Sequence, residues 1–351
     1  MSLHNRVDRR ILKKQMEESD EKRMTLSFYN YAHIESPEIV RDQLYAEWTK
    51  FGILGRVYLA KEGINAQINV PKENFEAFKA HLNTISFLNG VRLNVAVEEE
   101  KKSFFKLKIK VRNKIVADGL EDDSFDVTNK GKHLGAEEFN RLTDDPNTIV
   151  VDMRNHYESE VGHFENAILP DVDTFRDALS IVKETLQPYK DRNIIMYCTG
   201  GIRCEKASAY YKHLGFSNVH QLEGGIIKYA RDVQDKGLPN KFKGKNFVFD
   251  ERLGERISEE VISYCHQCGS KCDTHTNCKN EACHLLFIQC EECAKKYDGC
   301  CSSECKTFVQ LPEDEQRDLR KKFQQKRNVF KKGRVDHLKD HWLKKANIIQ
   351  R

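Results

Sequence analysis

The chain has 351 residues, 39% of them hydrophobic and 32% charged, and a net charge of +4. That is apolar material for two or three domains of about 100–150 residues each, which excludes a mini-protein and a disordered tail. No apolar run approaches the roughly 18–20 residues that cross a bilayer, and the basic start, with Arg6, Arg9, Arg10, Lys13 and Lys14, lacks a signal-peptide core; a cytoplasmic protein with no membrane partner is predicted.

Residues 1–23 read as a charged arm. From Met24 to Val116 the pattern is strand MTLSFYNYAH, helix SPEIVRDQLYAEWTKFG, two strands in GRVYLAKEGINAQINV turning at Glu62-Gly63, helix ENFEAFKAHLNTI and strand VRLNVAV. This βαββαβ order predicts a ferredoxin-like or acylphosphatase-like α+β domain over residues 24–116. Its last segment, FFKLKIKVRNKIV, alternates Lys106, Lys108, Lys110, Arg112 and Lys114 with apolar residues. A period of two puts all five cations on one face, which predicts a surface for the phosphates of RNA. The acidic, Gly-containing stretch 117–129 reads as a linker.

From 130 to 240 short apolar strands alternate with helices: NTIVVDM, TFRDALSIVKETL, NIIMYC, RCEKASAYYKHLG, NVHQL and GGIIKYARDVQDKG. This predicts a parallel α/β sheet, whose chemistry sits at the carboxyl ends of strands. Cys198 ends one of them. The loop Cys198-Thr199-Gly200-Gly201-Ile202-Arg203-Cys204 leads straight into a helix. Two glycines let backbone N–H groups turn toward the sulfur, and the helix amino terminus and Arg203 add positive charge. A thiolate nucleophile at Cys198 follows, with Thr199, Gly200, Gly201 and Ile202 cradling a substrate.

These residues resemble the rhodanese superfamily. Val151-Asp152-Met153-Arg154, Glu158, Gly162-His163 before Ala167, the CTGGIR loop and Gly224-Gly225 all fall on its pattern. The resemblance implies a loop sized for one sulfur atom; four residues between Cys198 and Arg203 make it one shorter than the cradle of a cysteine phosphatase. Asp152 and Arg154 are candidates to assist catalysis or to fix strand ends, and Cys204 to resolve an oxidised or persulfidated Cys198. His163-Phe164-Glu165 has the spacing of an iron-binding pair, but the Gly-His of the rhodanese pattern accounts for it.

The other ten of the twelve cysteines lie in residues 241–305. In a reducing compartment such clustering points to metal. Cys265, Cys268, Cys290 and Cys293 form two C-x2-C pairs that suit one four-thiolate site. Cys272, Cys278, Cys283, Cys300, Cys301 and Cys305, with His266, His275 and His284, leave ligands for a second, whose pairing the spacing does not reveal. The one apolar patch, LLFI, is too small to fold the segment alone, so structural zinc is predicted, with a single zinc or an iron–sulfur cluster as alternatives. Residues 306–351 carry 14 Lys/Arg against 6 Asp/Glu and read as a basic helical tail for an acidic partner. His337 and His341 in it share a helix face without a third ligand.

Together GRVYLAKEGINAQI, MYCTGGIRCEKASAYYKHLGF, GKNFVFDERLGERI and CHQCG…CHLLFIQC…GCCSSEC resemble a bacterial family, the rhodanese-domain tRNA uridine hydroxylases. The resemblance implies a tRNA substrate, molecular oxygen, a reductant, 5-hydroxyuridine at the wobble position as product, and a required cysteine that maps onto Cys198. A sulfurtransferase passing persulfide sulfur to tRNA or protein shares every feature of the loop.

Overall fold

The computed structural model describes residues 7–97, 103–120, 124–323 and 338. The His337–His341 pair and most of the basic tail lie outside the described residues. After a short helix α1 (Arg9–Glu18), the first domain comprises β1 (Arg23–Tyr31), α2 (Pro37–Lys50), β2 (Leu54–Ala60), β3 (Gly63–Pro71), α3 (Phe75–Thr84), β4 (Asn94–Val95) and β5 (Leu107–Val111). Its sheet runs β4-β1-β3-β2, the expected ferredoxin-like order, and β5 adds a fifth strand parallel to β2.

Strand alternation gives this sheet two unlike faces. Leu26, Phe28, Val57, Leu59, Ile64, Ala66 and Ile68 point one way and bury against Leu44, Trp48, Phe78 and Leu82 of α2 and α3. Trp48 meets Phe28 and Phe78 edge-on, with ring centres 6.1 and 5.4 Å away. The residues between them, Ser27, Tyr29, Arg56, Tyr58, Asn65 and Gln67, face the other way, toward the second domain.

The five-cation face is corrected by where β5 ends. Lys108 and Lys110 are exposed and pair in register with Arg56 and Tyr58, and Arg112 lies over the Tyr58 ring at 5.7 Å. Lys106 precedes the strand and is half-buried. Lys114 turns inward and donates to Asp118 Oδ1 at 2.8 Å, because the alternation stops at Val111. The linker expected at 117–129 is likewise pinned: buried Asp118 pairs with Lys206 at 2.7 Å, and Phe125 packs edge-on against Tyr210.

The second domain contains β6 (Lys132–Leu134), α4 (Ala136–Thr143), β7 (Thr148–Asp152), α5 (His156–Ser159), β8 (Gly162–Phe164), α6 (Phe175–Leu186), β9 (Asn193–Tyr197), α7 (Ile202–His213), β10 (Asn218–Leu222) and α8 (Gly225–Lys236). β6-β10-β9-β7 form an all-parallel sheet. Residues of α6 and α7 share one core layer against it, and residues of α4 and α8 share the other.

The last region holds β11 (Phe242–Asn246), β12 (Glu255–Arg256), β13 (His275–Asn277), β14 (Leu286–Ile288), α9 (Glu291–Tyr297), α10 (Ser303–Val309) and α11 (Glu313–Phe323). β11 pairs antiparallel with β8, so this region grows out of the parallel-sheet body rather than hanging beside it. No helix among the described residues is long and apolar enough to cross a membrane.

Candidate functional site

Cys198 is the first residue after β9, and the loop it opens is held from two sides. From below, Gly201 adopts a left-handed backbone (φ +100°) and donates its N–H to Cys198 Sγ at 3.1 Å. From the side, Ile226 and Ile227 at the start of α8 donate to the carbonyls of Cys198 and Thr199, at 3.0 and 3.2 Å. Gly225 is required there, since a Cβ would lie 2.4 Å from the Cys198 carbonyl oxygen.

Burial pushes the Cys198 thiol up, but a hydrogen bond from Cys204, the Arg203 charge and the N–H groups of Arg203 and Gly201 outweigh it and hold the thiol at about 6. The group is therefore largely thiolate at neutral pH. Burial and the bond to Cys198 push Cys204 well above the ordinary thiol range, so Cys204 stays protonated and is the donor of the pair. Arg203 is clamped by the buried Glu158 carboxylate through two bonds of 2.6 and 2.8 Å. The Asn155–Glu158 capping box in turn fixes Glu158 at the start of α5.

The sulfur opens into a cavity of about 530 Å³ shared by three parts of the chain. Cys198, Thr199, Gly200, Ile202 and Arg203 form its floor, the polar face of the first sheet forms its roof, and Val248, Phe249, Asp250 and Arg252 close one side. Roof and floor touch: Asn94 donates to the Gly200 carbonyl at 3.4 Å, and Tyr29 donates to Glu205 of α7 at 3.0 Å. Burial alone would raise Glu205, yet bonds from His133 and Lys130 hold it at about 2, so it accepts from Tyr29 as a carboxylate. Deeper contacts lock the two domains, with buried Lys206 reaching Glu62 of the β2–β3 turn at 2.6 Å.

Of the residues expected at the site, the structure brings Cys198 to Cys204 together around the sulfur. Asp152 and Arg154 are not in the cavity wall. They are wholly buried and paired at 2.6 Å, and Arg154 also donates to the Gly162 carbonyl; the pair fixes the end of β7 to β8. Lys108, Lys110 and Arg112 flank the roof on its outer edge. Ser27, Tyr29, Asn65, Gln67 and Asn94 escape sequence reasoning because they read as the solvent face of strands. Their signal is that this face carries uncharged polar residues in the middle of β1 and along β3, whereas β2 and β5 carry Arg56, Lys108 and Lys110 on it.

The cysteine-rich region gathers two groups of four. Cys265, Cys268, Cys290 and Cys293 form one, as their spacing predicts; Cys278, Cys283, Cys301 and Cys305 form the other, and Cys272 and Cys300 stand outside both. Sulfur separations of 3.6 Å (Cys268–Cys290), 3.7 Å (Cys283–Cys301) and 3.8 Å (Cys301–Cys305) are far too long for disulfides. They match the edge of about 3.8 Å of a tetrahedron of thiolates around a metal at about 2.3 Å.

A parallel sheet with helices on both faces, carrying a cysteine with a lowered pKa at the end of a strand beneath a second, α+β domain, defines a rhodanese-fold enzyme with an added domain over its cysteine loop. Residues 23–115 match the UPF0176 acylphosphatase-like domain, 135–232 the rhodanese-like domain and 243–306 the Rhodanase C-terminal family. Over 95% of its length the chain is 55% identical to the tRNA uridine(34) hydroxylase of Leptospira interrogans, covering 91% of that protein. It is 56% identical over the same share to those of Photorhabdus laumondii and Yersinia pestis, covering 95% and 94% of them. The chain belongs to the tRNA uridine(34) hydroxylase family.

Proposed function

We propose that this enzyme hydroxylates C5 of uridine 34 in tRNA, with molecular oxygen as oxidant and Cys198 as the nucleophile. The observation that carries the reading is a Cys198 thiol held at about 6 on the floor of a cavity whose opposite wall carries the polar side chains Ser27, Tyr29, Asn65, Gln67 and Asn94. Uracil C5 is unreactive until a nucleophile adds to C6, which turns C5 into an enolate-like carbon. The Cys198 sulfur forms the bond to C6, and loop N–H groups and the Arg203 side stabilise the charge that develops. One oxygen atom of O2 is then bonded to C5. Two electrons from a reductant and two protons take the other atom to water. Loss of the C5 proton and departure of the thiolate restore the double bond and leave 5-hydroxyuridine. A wobble base already sits in a loop, so it enters the cavity without the opening of a duplex.

Each four-thiolate group holds a structural zinc in this reading: all-sulfur tetrahedra with no open position suit folding rather than catalysis. Lys108, Lys110, Arg112 and the basic tail contact tRNA phosphates, and the enzyme works in the cytoplasm.

The test is nucleoside mass spectrometry of tRNA after reaction under air and under argon. Wild-type enzyme in air is expected to give 5-hydroxyuridine, and Cys198→Ser to lose at least about a thousandfold in rate. Product under argon, or an active Cys198→Ser enzyme, overturns the reading; thiolated uridine in its place establishes sulfur transfer.

A further inference from the structure

The roof of the cavity contains an amide relay whose orientation is set by the backbone. The Ile115 carbonyl can only accept, so Asn65 must turn its Nδ2 toward it, at 3.3 Å. That leaves Asn65 Oδ1 facing Gln67, which donates from Nε2 at 2.8 Å. Gln67 is thereby fixed: its Oε1 and second Nε2 hydrogen have no hydrogen-bond partner among the described residues, and the side chain lines the cavity. Gln67 sits in register between Ser27 and Arg56. Ser27 lies over the loop, its Oγ 3.9 Å from where a Cβ of Gly200 would stand. Gln67 is therefore one cross-strand step from the wall directly above the reactive loop.

We propose that Gln67, oriented by Asn65, reads the N3–H and O4 edge of uracil and is the residue that selects uridine over cytidine at this site. The inference rests on the reading of Cys198 as the nucleophile for a uracil ring. A fixed glutamine offers one acceptor beside one donor, which is the complement of uracil N3–H and O4. Cytosine presents the inverse, an unprotonated N3 and an amino group, and would place acceptor against acceptor and donor against donor. A free glutamine could rotate its amide to suit cytosine. This one would have to break the bond to Asn65, and Asn65 cannot follow without losing Ile115. Polar groups that a bound base covers and leaves mispaired in this way are what make a hydrogen-bonding pocket reject a near-isostere. Gln67 is the specificity-determining residue and Asn65 the positioning residue behind it.

The experiment measures binding of anticodon stem–loop RNAs to full-length protein carrying Cys198→Ser, which prevents turnover. Probes carry uridine, cytidine or 3-methyluridine at position 34. The expected preference for uridine over cytidine is about tenfold or more, and 3-methyluridine, lacking the N3 hydrogen, falls with cytidine. Adding Gln67→Leu brings the uridine-to-cytidine ratio to about one. Asn65→Leu keeps the reading side chain but frees its amide, so cytidine binding rises while uridine binding falls slightly; a purely structural role would weaken both alike. If the leucine variant at 67 does not fold, Gln67→Glu serves, since its carboxylate cannot donate to O4 and should likewise abolish the preference. An undiminished ratio in a folded Gln67 variant, or no preference in the parent protein, overturns the proposal. The ratio is read without turnover. Loss of preference in the variant alongside a wild-type enzyme that makes no 5-hydroxyuridine would therefore uphold the base reading while removing the proposed reaction.

Discussion

Cys198 and the cysteines of the 265–305 region are the same side chain in two opposite settings. Around Cys198 there is one neighbouring sulfur, Cys204, and the remaining donors are backbone N–H groups and a paired arginine. Charge accumulates on one sulfur with nothing to bind it, in a wall of a cavity. In the other region four sulfurs face one another within 4.8 Å, twice over. Four cysteines so placed could hold a metal ion among them, each sharing its charge with the cation rather than keeping it on one sulfur. Reactivity or scaffolding is decided by what surrounds the sulfur, not by the residue.

The strongest way to break this contrast is to exchange the losses. Cys293→Ser should lower the metal content from two per chain to one and unfold the module cooperatively on heating, well below the melting of the parallel-sheet body; metal analysis and calorimetry check both. Extensive chelation should do the same to both sites. If the module kept its melting behaviour without metal, its sulfurs would not be scaffold at all.

A smaller effect sharpens the reactive side. In the wild type, kcat/KM should fall as pH drops through about 6, because protonation removes the thiolate. Cys204→Ala deletes the hydrogen bond that helps hold the thiol down, so the acid limb should move toward the ordinary thiol range while the rate at high pH is kept. A Cys204→Ala enzyme with wild-type pH dependence but impaired multiple turnover would instead give Cys204 the resolving role. The smallest effect concerns the roof's outer edge. Lys108→Glu with Lys110→Glu should reduce the salt slope of tRNA binding by about 1–2, with little change in kcat. An unchanged slope would make these lysines simple solvated residues.

What was legible follows from the range of the interactions concerned. The Cys198 loop is readable because its parts, two glycines, an arginine and a helix start, are contiguous. The first group of four cysteines is readable because each C-x2-C pair is local. The second was not: Cys278 and Cys283 meet Cys301 and Cys305 only after the β13–β14 hairpin and α9 fold the chain back. Alternation puts Lys108 and Lys110 on an exposed face, as the structure does, but fails at Lys114, since a period of two carries no information about where a strand stops. The roof was invisible for a different reason. Its residues are far in sequence from Cys198, and nothing local says that one sheet face will meet a second domain.

That roof also has an evolutionary consequence. In each of its strands the alternate residues are committed to separate tasks: Leu26, Phe28, Ile64, Ala66 and Ile68 pack the domain core, while Ser27, Tyr29, Asn65 and Gln67 line the cavity shared with Cys198. Selection can therefore rewrite the second set without disturbing the first. An enzyme arranged this way can change what its cavity accepts one roof residue at a time, over an unaltered cysteine loop and an unaltered core.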